Sequence, residues 1–159
     1  MKRAPVVSVV GGSSCSPVEA TLAESVGRGL AAAGAILVCG GGSGVMEAAC
    51  RGAVGADGWT VGFLPGTGWD DGNVHLSQAV PTGLGEGRNL LVVRAGQAVI
   101  AIGGGYGTLS EIAFGLKLGR RVVGLATWGA TTSDGGPAAI LRAETPDEAV
   151  TLALEAARR

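Results

Sequence analysis

Apolar positions in this chain fall into two alternating kinds of segment. Short runs rich in branched apolar residues, typical of buried parallel strands, occupy residues 6–10, 35–39, 60–64, 98–102 and 121–125, with a weaker run at 78–80. Between them, apolar residues recur at helical spacing over residues 18–33, 45–54, 87–95, 109–118 and 146–157. Strands that alternate with helices predict a parallel sheet with helices on both faces. We therefore expect a single α/β domain over residues 1–159, with a Rossmann-like fold.

Three helix starts carry capping signals. The sequences SPVE at 16–19 and TPDE at 145–148 are capping boxes with proline at the first helical position. The sequence TLSE at 108–111 has the same form, which predicts Thr108 as the N-cap of the central helix. On this interpretation, Glu111 does no more than bond back to the cap.

Three of the predicted strands end in small-residue loops: GGSS at 11–14, GGGSG at 40–44 and GGGYG at 103–107. One interpretation is that glycine simply lets the chain reverse there. Glycine also lets backbone N–H groups approach a ligand, and a helix that starts behind the loop favours an anion, most often phosphate. Because the carboxyl ends of parallel strands share one sheet edge, we expect the loops to face one ligand. The candidate binding residues are Gly12, Ser13, Ser14, Gly41, Gly42, Gly44, Gly104, Gly105, Tyr106, Gly107 and Thr108.

Composition excludes several partners. Twelve basic residues nearly balance thirteen acidic ones, and no basic cluster indicates a nucleic-acid or membrane surface. No apolar run approaches the ~18 residues that span a bilayer, and the first ten residues do not resemble a signal peptide. We therefore expect a cytoplasmic protein with a small phosphorylated ligand, without a nucleic-acid or membrane partner.

Cofactor motifs are also missing. The only lysines, Lys2 and Lys117, do not follow a glycine loop in the Walker arrangement, and the glycine spacing differs from G-x-G-x-x-G. Neither lysine suits a pyridoxal phosphate site, so a true lysine decarboxylase is disfavoured. The lone His75 cannot complete a metal site, and we predict no metal.

The chain contains three cysteines, an odd number without a C-x-x-C pair. We predict that Cys39 and Cys50 are reduced, buried apolar residues. Cys15, in a loop before a helix, is the one candidate for a reactive thiol. The polar 66–77 segment is long for a connection in a compact domain, which predicts a lid or a subunit contact.

The stretch GRNLLVVRAGQAVIAIGGGYGTLSEIAFGLKLGRRVVGL resembles the core of the Lonely Guy superfamily, often labelled possible lysine decarboxylase. The characterised enzymes of that superfamily are cytokinin-activating nucleoside 5′-monophosphate phosphoribohydrolases with the hallmark PGGxGTxxE after an Arg-Lys pair. Here Gly103 stands at the proline position and Asn89 at the lysine position, whereas Arg88 and Glu111 match. These departures, with VCGGGSGVMEAACRGA and FLPG, are more similar to the branch that contains molybdenum-cofactor carrier proteins.

The resemblance implies a binding protein for a small phosphorylated heterocycle, with the molybdenum cofactor as a candidate ligand. The alternative is a phosphoribohydrolase that uses Arg88 and Glu111 as catalytic residues. A third alternative is a ligand-sensing or structural oligomer without turnover. In a simpler interpretation Arg88 is a solvated helix residue. Arg94 has a weaker claim to a role in the site, because only its spacing from Arg88 recommends it. The helix at 109–118 is apolar on more than one side, which predicts a homodimer or homotetramer.

Overall fold

A computed structural model describes residues 3–157 of the chain. Its strands are β1 (Val6–Gly11), β2 (Ile36–Cys39), β3 (Trp59–Leu64), β4 (Gln78–Pro81), β5 (Ala98–Ile102), β6 (Arg121–Leu125) and β7 (Ile140–Ala143). All pairings are parallel, and the seven strands form one sheet in the order β4-β3-β2-β1-β5-β6-β7. The predicted single-domain α/β class is confirmed.

Five helices cover the two faces of this sheet: α1 (Pro17–Ala32), α2 (Val45–Val54), α3 (Arg88–Ala95), α4 (Tyr106–Lys117) and α5 (Pro146–Ala157). One apolar cluster joins the sheet to α1, α2 and α5, and a second joins it to α3 and α4. Neighbouring strand residues divide between the clusters, Val9 with the first and Val10 with the second. This division follows from the alternation of side chains across a strand. The sheet is therefore buried on both sides, as its continuous apolar runs predict.

The capping box at α1 is confirmed. The Ser16 hydroxyl accepts a hydrogen bond from the Glu19 N–H at 3.1 Å, and the Glu19 carboxylate accepts one from the Ser16 N–H at 2.8 Å. At α5 only half of the predicted box forms. Thr145 caps the Glu148 N–H at 3.2 Å, whereas the Glu148 carboxylate accepts from the N–H of Glu144.

Two predictions of local structure are wrong. Helix α4 begins at Tyr106 with Gly105 as its N-cap, so Thr108 lies inside the first turn and does not cap the helix. The glycines on either side of Tyr106 obscure this boundary in the sequence because their propensity for helix is low. Strand β7 was not predicted, since its four residues have no clear alternation and two of them are exposed. Within residues 3–157, no helix is long and apolar enough to cross a membrane.

Candidate functional site

A cleft of about 440 Å³ opens beyond the carboxyl ends of the central strands, and we call it the central cleft. Strands β2, β3 and β4 lie in succession on one side of β1, and β5, β6 and β7 lie in succession on its other side. The boundary between β1 and β5 is thus a topological switch point, where open α/β sheets bind ligands. Seven of the predicted site residues line the cleft, namely Gly12, Ser13, Arg88, Gly105, Gly107, Thr108 and Glu111.

The loop between β5 and α4 is held from the side of β6. Thr127 donates a hydrogen bond to the Gly103 carbonyl at 2.5 Å. The indole N–H of Trp128 lies 3.0 Å from the Gly104 carbonyl and 3.1 Å from that of Gly105. Gly103 and Gly104 have φ values of +52° and +91°, a region that favours glycine. These contacts fix the loop in front of the helix.

The start of α4 presents an unobstructed surface to the central cleft. The N–H groups of the first helical turn have no acceptor within their own helix. A Cβ atom added at Gly105 or Gly107 would meet no other atom within 4 Å, and both glycines are exposed. Tyr106 between them is 83% exposed. The helix therefore offers backbone donors and a partial positive charge to an anion in the cleft.

Glu111 is buried although it lines the central cleft, and only 7% of the residue is exposed. Burial raises the pKa of its carboxyl from the ordinary 4.5 to about 7, and the positive charge of Arg88 opposes this rise. Within residues 3–157, the Glu111 side chain forms no hydrogen bond and no ion pair. The proposed cap on Thr108 is thus absent, and the carboxyl is free to meet a ligand.

Arg88 begins α3 and is anchored on two sides. Its Nε donates to the carbonyl of Phe63 at 3.0 Å, and its Nη1 donates to the side-chain oxygen of Asn89. Its guanidinium also packs on Gly40, where an added Cβ would lie 3.0 Å from Nη2. These contacts hold the guanidinium in the lining of the central cleft. Arg94, in the last turn of the same helix, is exposed and does not line the cleft.

The second glycine loop does not reach the central cleft. Gly41, Gly42 and Gly44 are absent from its lining, and the 66–77 segment lies over the loop instead. Asn73 donates its backbone N–H to the Gly41 carbonyl at 2.8 Å and its side-chain amide to the Gly42 carbonyl at 2.9 Å. Gly41 has a φ of +74°, and a Cβ there would collide with Leu64. The repeated glycine motif has a packing role at this loop.

The remaining predicted residues surround the central cleft without lining it. Ser14 is exposed. Gly104 borders a groove of about 220 Å³ together with Glu19 and Trp128. Tyr106 borders a second cavity of about 460 Å³, which we call the adjoining cavity. It shares Glu86, Asn89 and Gly107 with the central cleft and is otherwise lined by Gly87, Leu90, Tyr106, Ser110 and Phe114.

The cleft is also lined by Gly11, from the predicted GGSS loop, and by four residues that were not among the predicted site residues: Met46, Pro65, Gly85 and Glu86. Asn89 lines it as well, although the sequence marked it only as a departure from a motif. For Gly85 and Glu86 the sequence did contain a signal, the glycine-rich stretch GLGEG directly before Arg88. This stretch forms a 3₁₀ turn at Gly85–Gly87. Met46 and Pro65 lie in the stretches VCGGGSGVMEAACRGA and FLPG, which carry the family resemblance, but no chemical pattern marks either residue as part of a site.

The three cysteines differ in burial. Cys39 and Cys50 are buried and free, as predicted. Cys15 is half-buried, and burial together with the negative charge of Glu19 raises the pKa of its thiol, which disfavours a reactive thiolate. In the described part of the chain, no group of three or more His, Cys, Asp or Glu residues could hold a metal ion.

Comparison with known proteins gives a consistent picture. The model of the SLOG cluster4 family matches residues 4–150. An uncharacterised protein of Archaeoglobus fulgidus is 36% identical over 148 residues, which cover 91% of each chain. The molybdenum cofactor binding protein of Rippkaea orientalis is 32% identical with a TM-score of 0.84, over 96% of each chain. The molybdenum cofactor carrier protein of Chlamydomonas reinhardtii is 27% identical with a TM-score of 0.82, over 97% of this chain and 98% of its own.

More distant structures share only the fold. DNA processing protein A of Streptococcus pneumoniae has a TM-score of 0.71 at 19% identity, and the match covers 93% of this chain but 61% of that protein. At this identity the likeness carries no conclusion about ligands.

Proposed function

The chain belongs to the SLOG cluster4 family, and on this premise we propose that it binds a small phosphorylated heterocycle and carries it without cleaving it. The observation that carries the proposal is the open start of α4 at the switch point between β1 and β5. Structural neighbours named for molybdenum cofactor binding support a pterin phosphate of that kind as the ligand class.

The phosphate group would lie on the N–H groups of residues 105–108. Those groups are the unsatisfied donors of the first turn, and the space beside Gly105 and Gly107 is open. Thr108 is 3% exposed and lines the central cleft, so its hydroxyl could assist. The loop at Gly12 and Ser13 would form the opposite wall.

The heterocycle would extend toward the adjoining cavity. That cavity shares part of its lining with the central cleft and presents Tyr106, Leu90 and Phe114. Aromatic and aliphatic side chains of this kind suit a flat ring. The ring and the phosphate of one ligand would then contact different parts of a continuous surface.

Arg88 would add charge to the phosphate site. Its Nε donates to the Phe63 carbonyl and one N–H of Nη1 donates to Asn89, which leaves the second N–H of Nη1 and both N–H groups of Nη2 for a ligand. These anchored donors would position an anion, and Nη1 and Nη2 together could bind two oxygens of a phosphate. Asn89 at the motif lysine position removes a second cation from the site. The loss of that cation favours binding of a ligand over cleavage.

A hydrolase is the second candidate, and Glu111 is the observation that favours it. A buried carboxyl with a pKa of about 7 suits a general acid, as in enzymes that cleave glycosidic bonds. In that alternative, Glu111 would act beside the ribose of a nucleoside 5′-monophosphate.

Incubation with defined ligands separates the two candidates. The protein is mixed with AMP and, separately, with a pterin phosphate, with molybdate or tungstate added in parallel, and the products are analysed by liquid chromatography. The carrier proposal requires both ligands to be recovered intact. Release of free base and ribose 5-phosphate, abolished in Glu111→Gln but retained in Glu144→Gln, would establish the hydrolase instead.

A further inference from the structure

Two free thiols lie side by side beneath the 66–77 segment. Cys39, at the end of β2, and Cys50, in α2, are both fully buried, and their Sγ atoms are 3.6 Å apart. A disulfide has an S–S distance of about 2.05 Å, so the two sulfurs must approach by about 1.5 Å to bond. We propose that Cys39 and Cys50 form a reversible intrachain disulfide, with hydrogen peroxide or another small hydroperoxide as the oxidant.

The two thiols have different surroundings. The contact with the Cys39 thiol lowers the pKa of Cys50. The side chains of Asn73 and Thr60 lower it further, whereas burial raises it. The contact between the two thiols raises the pKa of Cys39, as does its burial. Cys50 is therefore the thiol that loses its proton more readily and acts as the nucleophile, while Cys39 acts second.

The chemistry has two steps. The Cys50 thiolate attacks one oxygen of hydrogen peroxide, the O–O bond breaks, and a sulfenic acid forms as hydroxide leaves. The sulfur of Cys39 then attacks the sulfenic sulfur, and water leaves with the proton of the thiol. Overall, two thiols and one peroxide give one disulfide and two waters. A dithiol reductant reverses the reaction by thiol–disulfide exchange.

Access to the pair depends on Asn73. Its two hydrogen bonds to the Gly41 and Gly42 carbonyls fasten the 66–77 segment over the second glycine loop. The Gly41 N–H in turn donates to Cys39 Sγ at 3.3 Å.

Opening this segment breaks the two hydrogen bonds of Asn73, and a wider opening also breaks those that join Thr60 to His75 and Ser77. The exposed residues of the segment, such as Val74 at 86%, lose little packing when it opens. A local opening of this kind would admit a small oxidant without unfolding the core.

The pair is connected to the central cleft through Gly40. Gly40 follows Cys39 directly and packs against the guanidinium of Arg88. The disulfide would therefore form one residue from a contact that holds the phosphate-site arginine.

The test uses the full chain with Cys15→Ala, which leaves the buried pair as the only thiols. The folded protein is treated with hydrogen peroxide, unfolded in the presence of an alkylating reagent and weighed by mass spectrometry. We expect a product about 2 Da lighter than the reduced chain that carries no alkyl group and is restored by dithiothreitol. Persistence of two alkylatable thiols, or a disulfide that links two chains, would overturn the proposal.

Two further variants test the order of the two steps and the role of Asn73 in controlling access to the thiols. With Cys39→Ser added, oxidation should stop at sulfenic or sulfinic acid on Cys50, because no second thiol is present. With Asn73→Ala added instead, the disulfide should form several-fold faster than in the Cys15→Ala parent. If circular dichroism shows that Asn73→Ala does not fold, the result with the Cys15→Ala parent alone decides the proposal. A folded Asn73→Ala variant that oxidises no faster would contradict the role of Asn73 in controlling access to the thiols.

Discussion

The carboxyl of Glu111 lines the same cleft as the guanidinium of Arg88, yet no ion pair joins the two within residues 3–157. Burial therefore dominates the electrostatics of Glu111, and its pKa rises to about 7. An unpaired buried carboxyl reduces stability once it is ionised. The molecule retains a destabilising group at the mouth of its cleft, as proteins often do where a ligand binds.

The first prediction concerns the stability of the folded state. The folded pKa of Glu111 lies above the ordinary value of 4.5, so the contribution of this group to the free energy of unfolding is largest below pH 4.5 and is lost as the pH rises through 7. Each pKa unit corresponds to about 1.4 kcal/mol, so the ionised form costs on the order of 3 kcal/mol. Glu111→Gln should therefore unfold at higher urea concentration than the wild type at pH 8 but at a similar concentration at pH 4.5.

The exposed Glu144 supplies the control, because Glu144→Gln removes a carboxylate that the protein does not bury. It should follow the wild type at both pH values. Equal stability of Glu111→Gln and the wild type at pH 8 would show that Glu111 is not buried as described.

The second prediction separates the two arginines of α3. Arg88→Ala should weaken the binding of a phosphorylated ligand about 10- to 100-fold, since a hydrogen bond to a charged group contributes about 1.5–3 kcal/mol. Arg94→Ala removes the same charge from the exposed end of the helix and should leave the affinity unchanged. Calorimetric titration measures both. An equal loss in the two variants would indicate a general charge effect and not a contact in the cleft.

How far the sequence could predict this molecule differs between its elements. Helix α2 has the predicted bounds, Val45–Val54, because its apolar spacing and flanking glycines agree. The start of α4 was misplaced because Thr108 and Glu111 imitate a capping box two residues into the helix. A short-range pattern cannot distinguish a cap from a first turn when glycines precede it.

The candidate site was predicted only where local pattern and three-dimensional position coincide. The loops at Gly12 and Gly105 meet in the central cleft because β1 and β5 are neighbours in the sheet. The loop at Gly41 has the same sequence pattern, but it is covered by Asn73, which lies 32 residues further along the chain. Such a long-range contact leaves no local signal.

The third prediction addresses the cap of α1. Ser16→Ala removes the hydroxyl that caps the Glu19 N–H and should lower the free energy of unfolding by about 1 kcal/mol. Ser14→Ala, at an exposed residue that does not line the central cleft, should change it little. Urea denaturation provides the comparison. A Ser16→Ala variant as stable as Ser14→Ala would mean that the cap is not formed in solution.

The fourth prediction is that the protein is a homodimer or homotetramer. Tyr106 is 83% exposed and Leu90 is 37% exposed on the rim of the adjoining cavity, next to the half-buried Phe114. A second copy would cover the exposed rim formed by Tyr106 and Leu90, while the interior of the cavity would stay open to the ring of the ligand. Light scattering at micromolar concentration should give at least twice the 15.6 kDa chain mass.

Paired variants test the surface itself. Leu90→Asp should shift the mass toward the monomer, whereas Val74→Asp, at an 86% exposed site on the 66–77 segment, should not. A monomeric wild type, or identical behaviour of both variants, would contradict the prediction.

The fifth prediction tests the phosphate site through its glycines. A side chain at Gly105 or Gly107 meets no protein atom but enters the space assigned to the phosphate. Gly105→Val and Gly107→Val should therefore fold like the wild type and lose binding of phosphorylated ligands. Gly136→Val is the control, because a Cβ there makes only ordinary contacts and the residue does not line the central cleft.

Calorimetric titration of the wild type, Gly107→Val and Gly136→Val with AMP, a pterin phosphate and inorganic phosphate is the most direct measurement of the central claim. The account predicts that the wild type and Gly136→Val bind at least one organic phosphate, and that Gly107→Val binds none of the three while its circular dichroism is unchanged. Equal binding of these ligands by all three proteins, or by none of them, would contradict a phosphate site at the start of α4.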